Sequence, residues 1–142
     1  MANTQGIGEV SKQVALAAIV DGKTLKAALY LVSATTTGAT AAYTATGEIN
    51  AGTVNYTAGG VSVTNANSAA LTSPTAYWTP SANIVYTTLT APTAFDSVMI
   101  YDTGAANRNL GLFTFGSQTV TAGTLTLTMP ANASSTALIR FT

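Results

Sequence analysis

The fold class is decided by residues 124–129, which read TLTLTM. Two leucines and a methionine alternate there with three threonines. Because successive side chains of a β-strand point to opposite faces, this period of two predicts a strand with one apolar and one polar face. The preceding residues 119–123, TVTAG, favour a hairpin whose tight turn lies at Ala122-Gly123.

A similar pattern continues outward through most of the chain. Glycine and proline recur about every 7 to 14 residues, which is typical of the turns in an all-β sandwich or barrel. Between them lie the stretches that we predict as further strands: residues 25–32, 44–50, 53–56, 60–65, 77–79, 84–89, 97–101, 110–115 and 137–141. The predicted fold class is all-β, an antiparallel β-sandwich or jelly-roll-like barrel of about nine strands.

Two segments depart from the β pattern. Ser11 is a candidate N-cap for one short N-terminal helix over residues 12–20, and Asp21-Gly22 is its stop signal. Residues 33–45, SATTTGATAAYTA, are small and polar. Because they have little apolar area to bury, we expect an exposed loop there.

The length of the chain, 142 residues, is the usual size of one domain. We therefore predict a single β domain over residues 11–142. Residues 1–10, MANTQGIGEV, contain two glycines and no core pattern. We interpret them as an extended N-terminal arm that orders on a neighbouring molecule, with a frayed terminus as the alternative.

Composition excludes most kinds of active site. The chain has no His and no Cys. Zinc sites built from those ligands, cysteine nucleophiles, histidine acid–base catalysis, and haem or iron–sulfur ligation are therefore excluded. No nucleophile–base pair, phosphate-binding loop or calcium loop stands out among the other residues. We predict no catalytic residue, no metal ligand, no cofactor, and a protein that is not an enzyme.

Charge limits the partners of the protein. Only 7% of the residues are charged, against roughly 25% in ordinary soluble proteins, and five acids balance five bases. Five scattered bases cannot form the basic cluster that binds nucleic acid. The most apolar stretch, residues 14–32, is interrupted by charges, and residues 1–10 lack the pattern of a signal peptide. We expect synthesis in the cytoplasm, no nucleic-acid partner and no membrane partner.

Few charges and many apolar residues also favour association. Hydrophobic residues make up 47% of the chain, and its formal net charge is zero. A surface of threonine, serine and asparagine is cheap to desolvate, because no ion has to be stripped of water. This composition is typical of a protein packed against copies of itself or a partner. The alternative is a threonine-rich β domain that does not assemble.

The charged side chains near the C-terminal half offer no paired site. Asp96 and Asp102 bracket the predicted strand 97–101. In a regular strand they are about 20 Å apart, too far for a paired-carboxylate mechanism, so we expect them to accept hydrogen bonds at the strand end or in a turn. Arg108 lies in an Asn-rich turn and is expected to be solvated, whereas Arg140 is a candidate partner for an acid.

The aromatic residues leave open a carbohydrate-binding function. Tyr77 and Trp78 are adjacent, so in a strand they point to opposite faces, and we expect one in the core and the other at a surface. In this alternative, Trp78→Ala abolishes glycan affinity without loss of stability. Further candidates for a stacking platform are Tyr30, Tyr43, Tyr56 and Tyr86.

Several short motifs resemble a family of small virion structural proteins of tailed bacteriophages. They are LKAALYLV at residues 25–32, YTAGGV at 56–61, SVMIYD at 97–102, FTFG at 113–116 and VTAGTLTL at 120–127. In that family a short apolar strand, a Tyr-Thr-x-Gly-Gly turn, an apolar-Ile-Tyr strand, a Phe-Gly pair and an Ala-Gly run follow in the same order. The resemblance implies an all-β domain on a phage particle, without catalysis.

Within that family, the composition favours a capsid decoration (cement) protein on the outside of the phage head. A compact β domain without heptads is unlike a fibre stalk. Apolar area buried at capsomer junctions, at about 25 cal/mol per Å², opposes the outward pressure of packaged DNA. The expected partners are the major capsid protein and the chain itself, as a homotrimer at local threefold points. The alternatives are a glycan- or receptor-binding module and a tail or connector component.

Overall fold

The computed structural model describes residues 5–49 and 53–142. They form two compact units, and each unit is built from stretches that are separated in the sequence. The described residues of the first unit are 5–22, 65–81 and 129–142, and those of the second are 23–49, 53–64 and 82–128. The single β domain over residues 11–142 and the arm over residues 1–10 stay predictions, and residues 1–4 of that arm lie outside the described residues.

The elements are one helix and seven strands in the described part of the chain. In order they are α1 (Glu9–Val20), β1 (Leu25–Leu31), β2 (Val61–Ser62), β3 (Ala70–Thr72), β4 (Thr75–Trp78), β5 (Ile84–Asp102), β6 (Arg108–Leu127) and β7 (Ile139–Phe141). Both sheets are antiparallel, with strand orders β2-β1-β5-β6 and β3-β4-β7. The predicted all-β class with one short N-terminal helix is confirmed.

The predicted number of nine strands is wrong for two reasons. The predicted strands 84–89 and 97–101 are parts of β5, and those at 110–115 and 124–129 fall largely within β6. The weak strands predicted near residues 44–50 and 53–56 form single bridges, from Glu48 to Tyr30 and from Val54 to Thr90. Residues 50–52, which join them, lie outside the described residues.

Helix α1 begins earlier than its predicted start. Its N-cap is Gly8, not Ser11, and the amide of Lys12 donates to the carbonyl of Gly8 at 3.1 Å. Glu9 then occupies the first turn, where a negative charge interacts favourably with the helix dipole. The predicted stop at Asp21-Gly22 is confirmed, because the helix ends at Val20 and Gly22 has a φ of +64°.

In the first unit, α1 packs against the three-stranded sheet, in which β4 is the central strand. Trp78 at the end of β4 is fully buried, and its indole N–H donates to the carbonyl of Asn67 at 3.2 Å. Tyr77 is only partly buried. The opposite orientation predicted for these two neighbours is confirmed, and β4 ends before Pro80 as expected.

In the second unit, β5 and β6 form one long hairpin whose turn lies at residues 103–107. The predicted hairpin turn at Ala122-Gly123 is therefore wrong. Leu89 pairs with Gly123 and Ala91 with Val120, so β6 carries one residue more than β5 between these pairs. Thr121 and Ala122 lie opposite the single residue Thr90 and make a β-bulge, which bends the strand without ending it.

The bent hairpin covers β1 from two sides. Ile100 of β5 pairs with Ala27 of β1 within the sheet. The hydroxyl of Tyr86, near the other end of β5, donates to the carbonyl of the same Ala27 at 2.7 Å. Strand β1 is consequently almost wholly buried, which confirms the predicted core strand at residues 25–32. This packing positions the polar cluster described below.

Candidate functional site

The main polar cluster of the second unit is built around the carboxylate of Glu48. Glu48 is only 4% exposed. Its Oε1 accepts hydrogen bonds from the Tyr56 hydroxyl at 2.6 Å and from the backbone amide of Gly59 at 2.7 Å. Its Oε2 accepts one from the Tyr43 hydroxyl at 2.7 Å. Three donors thus replace the water that a buried carboxylate loses.

Backbone hydrogen bonds hold Glu48 beside β1. The amide of Ile49 donates to the carbonyl of Leu29 at 3.2 Å, and the amide of Leu31 donates to the carbonyl of Gly47 at 2.9 Å. Gly47 has a φ of +82°, which favours glycine. The segment therefore turns at Gly47 and places the Glu48 side chain next to the strand.

A second turn, at Gly59-Gly60, closes the cluster. Both glycines have a positive φ, and a Cβ at Gly60 would overlap the carbonyl group of Ala27. Only glycine allows the chain to approach β1 this closely. The turn therefore presents the amide of Gly59 to Glu48, and its carbonyl accepts a hydrogen bond from Tyr101 at 2.8 Å.

Five tyrosines surround this carboxylate, and we call them the tyrosine cluster: Tyr30, Tyr43, Tyr56, Tyr86 and Tyr101. Two pairs of rings stack, Tyr43 on Tyr101 with centroids 4.7 Å apart and Tyr56 on Tyr86 with centroids 6.1 Å apart. Each hydroxyl donates to a backbone carbonyl or to Glu48. Every hydroxyl of the cluster therefore has an acceptor within the protein.

Burial changes the acidity of these hydroxyls. Desolvation raises the pKa of Tyr30 to about 12, although its hydrogen bond to the carbonyl of Thr44 acts in the opposite direction. Desolvation is also the largest cause of the raised pKa of Tyr43, Tyr56, Tyr86 and Tyr101, and the charge of Glu48 adds to it. All five hydroxyls are thus held neutral at physiological pH.

This arrangement is suited to holding segments together. A phenol with a raised pKa releases its proton reluctantly, and each of these hydroxyls already donates to a protein oxygen. Among the described residues, no group of three or more acidic side chains could hold a metal ion. Glu48 and the tyrosine cluster join the turns at Gly47 and Gly59-Gly60 to strands β1 and β5.

The turn between β5 and β6 contains a second buried carboxylate. Asp102 is 1% exposed, and its Oδ1 accepts a hydrogen bond from the amide of Gly104 at 2.9 Å. The turn hydrogen bond predicted for Asp102 is confirmed. Arg108 is not simply solvated, because its guanidinium lies 3.6 Å from Asp102 Oδ2. Asp96 lies partly buried within β5, and the guanidinium of Arg140 donates to the carbonyl of Ser135 at 2.8 Å.

Three of the aromatic residues considered for a carbohydrate platform lie inside the protein. Trp78, Tyr30 and Tyr86 are each at most 2% exposed. Tyr43 and Tyr56 are bound to Glu48. Because Trp78 is buried, the expectation that Trp78→Ala leaves stability unchanged is wrong, and its indole cannot stack on a ligand as it stands.

Two surfaces remain as candidates for binding another molecule. One is the apolar N-terminal face, formed by Ile7, Val10 and Val14, whose side chains are 73%, 64% and 63% exposed. The other is the outer edge of β6, the last strand in its sheet. Neither was predicted as a site from the sequence, although Ile7 and Val10 fall within the predicted arm.

No model of a known protein family matches the chain, and no curated protein or solved structure shows significant similarity to it. The resemblance to virion proteins of tailed bacteriophages therefore stays a prediction from short motifs. Within residues 5–49 and 53–142, no helix is long and apolar enough to cross a membrane.

Sequence reasoning missed the Glu48 cluster, although one signal was present. Glu48 is the only charged residue between Lys26 and Asp96. Tyr43 and Tyr56 lie close to it in the chain, on either side. A single acid in a long uncharged stretch with flanking tyrosines is consistent with a buried carboxylate whose partners are hydroxyl groups.

Proposed function

We propose that this protein is a non-enzymatic structural component of a bacteriophage virion, a decoration protein that binds the outside of the head at capsomer junctions. The observation that carries the proposal is the apolar N-terminal face, on which three large aliphatic side chains are more than 60% exposed. The resemblance of several short motifs to those of virion proteins and the low charge of the chain support the same function.

The apolar N-terminal face has the properties that such a contact needs. Fully burying a valine or isoleucine side chain contributes about 1.5–3 kcal/mol, and a capsid repeats each contact many times. The exposed positions next to these side chains include Ser11 and Ala15, which carry no charge to desolvate. The face can therefore be buried against an apolar surface of the major capsid protein at low cost.

The interior of the second unit supports a mechanical function. Its two buried carboxylates are engaged, Glu48 with three donors and Asp102 with Gly104 and Arg108. Such networks hold one conformation, which suits a protein that must keep its shape under the outward pressure on a capsid. We expect a homotrimer at local threefold points as the bound state.

The direct test is the position of the chain in purified particles, determined by cryo-electron microscopy. Density outside the shell at capsomer junctions, in copies that match the icosahedral lattice, is the expected result. Density at the tail, or in a ring at one vertex, would assign the protein to adsorption or connection. Absence from the particle would refute a virion function altogether.

A binding assay on capsids that lack the protein tests the apolar N-terminal face. The double variant Val10→Gln/Val14→Gln preserves helix propensity while removing the exposed apolar side chains. We expect its dissociation constant for the capsid to rise at least about tenfold, with lower occupancy at a subsaturating concentration, since two apolar contacts contribute more than 1.4 kcal/mol. Val54→Gln is the matched control, because Val54 is 56% exposed but lies in the second unit. Equal occupancy for both variants would exclude this face.

A further inference from the structure

The outer edge of β6 is open along most of its length. At its start the edge is covered, since the amide of Tyr43 donates to the carbonyl of Asn107 and the amide of Asn109 to the carbonyl of Ala41, at 2.8 and 3.0 Å. From Leu110 to Leu127, no backbone group of another described segment pairs with this edge. Its outward N–H and C=O groups are therefore available to another strand.

This edge lacks the side chains that usually keep exposed edges apart. Residues 109–139 contain no charged residue, and no proline occurs before Pro130. Lysine and proline are common means of preventing edge-to-edge pairing in natural sheets. In β6 the remaining protection is its bulges, which interrupt the register with β5 at several points.

One stretch of β6 is free of bulges on its own side. Residues 123–127, GTLTL, contain no bulge of their own. The extra residue in this part of the hairpin belongs to β5, where Thr88 has a positive φ. Thr124 and Thr126 are exposed, and Leu125 and Leu127 are partly buried. The stretch is thus a regular, uncharged and accessible strand edge.

The alternation in this stretch is self-complementary. In an antiparallel pair with two-fold symmetry, one residue lies opposite its own copy at the axis. Residues equally far before and after the axis residue then lie opposite each other. Even-numbered residues of the sequence therefore oppose even-numbered ones, and odd-numbered residues oppose odd-numbered ones. Threonine then faces threonine on one side of the ribbon, which is a favourable cross-strand pair, and leucine faces leucine or glycine on the other.

We infer that a second copy of this chain pairs with this edge, antiparallel and across a two-fold axis, along residues 123–127. A second copy is favoured over a different protein because the edge matches itself in side-chain type and carries no charge that self-pairing would bring together. The inference does not depend on the proposed function.

The absence of cysteine from the chain permits a clean cross-linking experiment. Single-cysteine variants Thr124→Cys and Thr126→Cys replace one small exposed side chain by another, and Thr35→Cys on the exposed loop is the control. Under a mild oxidant, at least one β6 variant is expected to form intermolecular disulfides ten or more times faster than the control. Sedimentation of the unmodified chain is expected to give dimers, or larger assemblies with an even number of chains such as two homotrimers joined by this contact.

A charge at the same place should weaken the contact. Thr126→Lys is expected to raise the dissociation constant at least tenfold, because the two-fold axis brings like charges close together, whereas Thr35→Lys should leave it unchanged.

A monomer or a trimer, with cross-linking of the β6 variants no faster than the control, would overturn the inference. So would a monomer whose Thr126→Lys variant loses capsid binding, since the edge would then bind another protein while the proposed function stands. Dimers from a chain absent from particles would leave the two-fold contact in place and refute the proposed function.

Discussion

The hydroxyl of Tyr56 joins the buried carboxylate of Glu48 to the central strand β1. It donates to Glu48 Oε1 at 2.6 Å and accepts a hydrogen bond from the amide of Leu29 at 3.0 Å. The O–H of this phenol is thus bound to the loop residue Glu48, and its oxygen accepts a hydrogen bond from the sheet. The stability of the second unit consequently depends on a polar group in the middle of an otherwise apolar core.

Removing the acceptors of Glu48 is expected to destabilise the protein strongly. Glu48→Ala leaves the hydroxyls of Tyr43 and Tyr56 and the amide of Gly59 without an acceptor. Because each unsatisfied buried donor costs about 1–3 kcal/mol, we expect a loss of about 3 kcal/mol or more in the free energy of unfolding. Urea denaturation followed by circular dichroism measures it.

The variant Glu48→Gln separates charge from hydrogen bonding. Its amide oxygen still accepts two hydrogen bonds, so we expect a loss of about 1–2 kcal/mol, smaller than for Glu48→Ala. Glu9→Gln is the control, because Glu9 lies in the first unit and its hydrogen bond to Ser73 is at the surface. It should change the free energy of unfolding by less than about 0.5 kcal/mol. Equal losses for Glu48→Ala and Glu48→Gln would show that the charge itself matters most.

The tyrosine cluster predicts a loss of stability in alkali. Tyr30 ionises near pH 10 in the unfolded chain, but burial raises its pKa to about 12 in the folded protein. Between these values the unfolded state has released the proton and the folded state keeps it, so the stabilisation is complete below pH 10 and declines as the pH rises towards 12. In this range, Tyr30 alone lowers the free energy of unfolding by about 1.4 kcal/mol per pH unit.

Urea denaturation at several pH values, together with tyrosinate absorbance, tests this prediction. The ionisation of the buried tyrosines should coincide with unfolding. Tyr30→Phe should reduce the pH dependence of the free energy of unfolding by one proton in this range. Ionisation of all six tyrosines near pH 10 in the folded protein would contradict the buried arrangement.

Local sequence patterns correctly predicted the elements that are determined by residues close to them in the chain. The alternation at residues 124–129 correctly gave the exposed threonines and partly buried apolar residues, and the apolar run at 25–32 correctly gave the core strand β1. The Asp21-Gly22 stop also ends α1. Each of these signals acts within a few residues, so no knowledge of distant partners was needed.

Features that depend on distant partners could not be predicted in the same way. An Ala-Gly pair suits a tight turn and a β-bulge equally, and only the pairing of Val120 with Ala91 decides that β6 continues. Glu48 is similar, since its donors Tyr43 and Tyr56 are themselves held by rings of β5, on which they stack. Its isolation in an uncharged stretch indicated an unusual role but not its partners.

The close approach of Gly60 to β1 gives a sharp test of the turn. In Gly60→Ala the new methyl group would overlap the carbonyl of Ala27, and the φ of +75° is unfavourable for alanine. We expect a loss of about 3 kcal/mol or more in the free energy of unfolding. Gly38→Ala is the matched control, because a Cβ there meets nothing within 4 Å and the residue lies in the exposed loop. A loss below about 1 kcal/mol for Gly60→Ala would mean that the turn can move away from β1.

The buried carboxylate of Asp102 allows its hydrogen bond and its ion pair to be compared. Asp102→Asn keeps an oxygen for the amide of Gly104 but removes the charge beside Arg108, whose side chain is 45% exposed. Because half-exposed ion pairs contribute about 0–1 kcal/mol, we expect a loss of about 1 kcal/mol for Asp102→Asn and of about 2–3 kcal/mol for Asp102→Ala. Asp96→Asn on the same strand serves as the control and should cost less than about 0.5 kcal/mol. If Asp102→Asn costs as much as Asp102→Ala in urea denaturation, the ion pair with Arg108 stabilises the turn more than the hydrogen bond to Gly104 does.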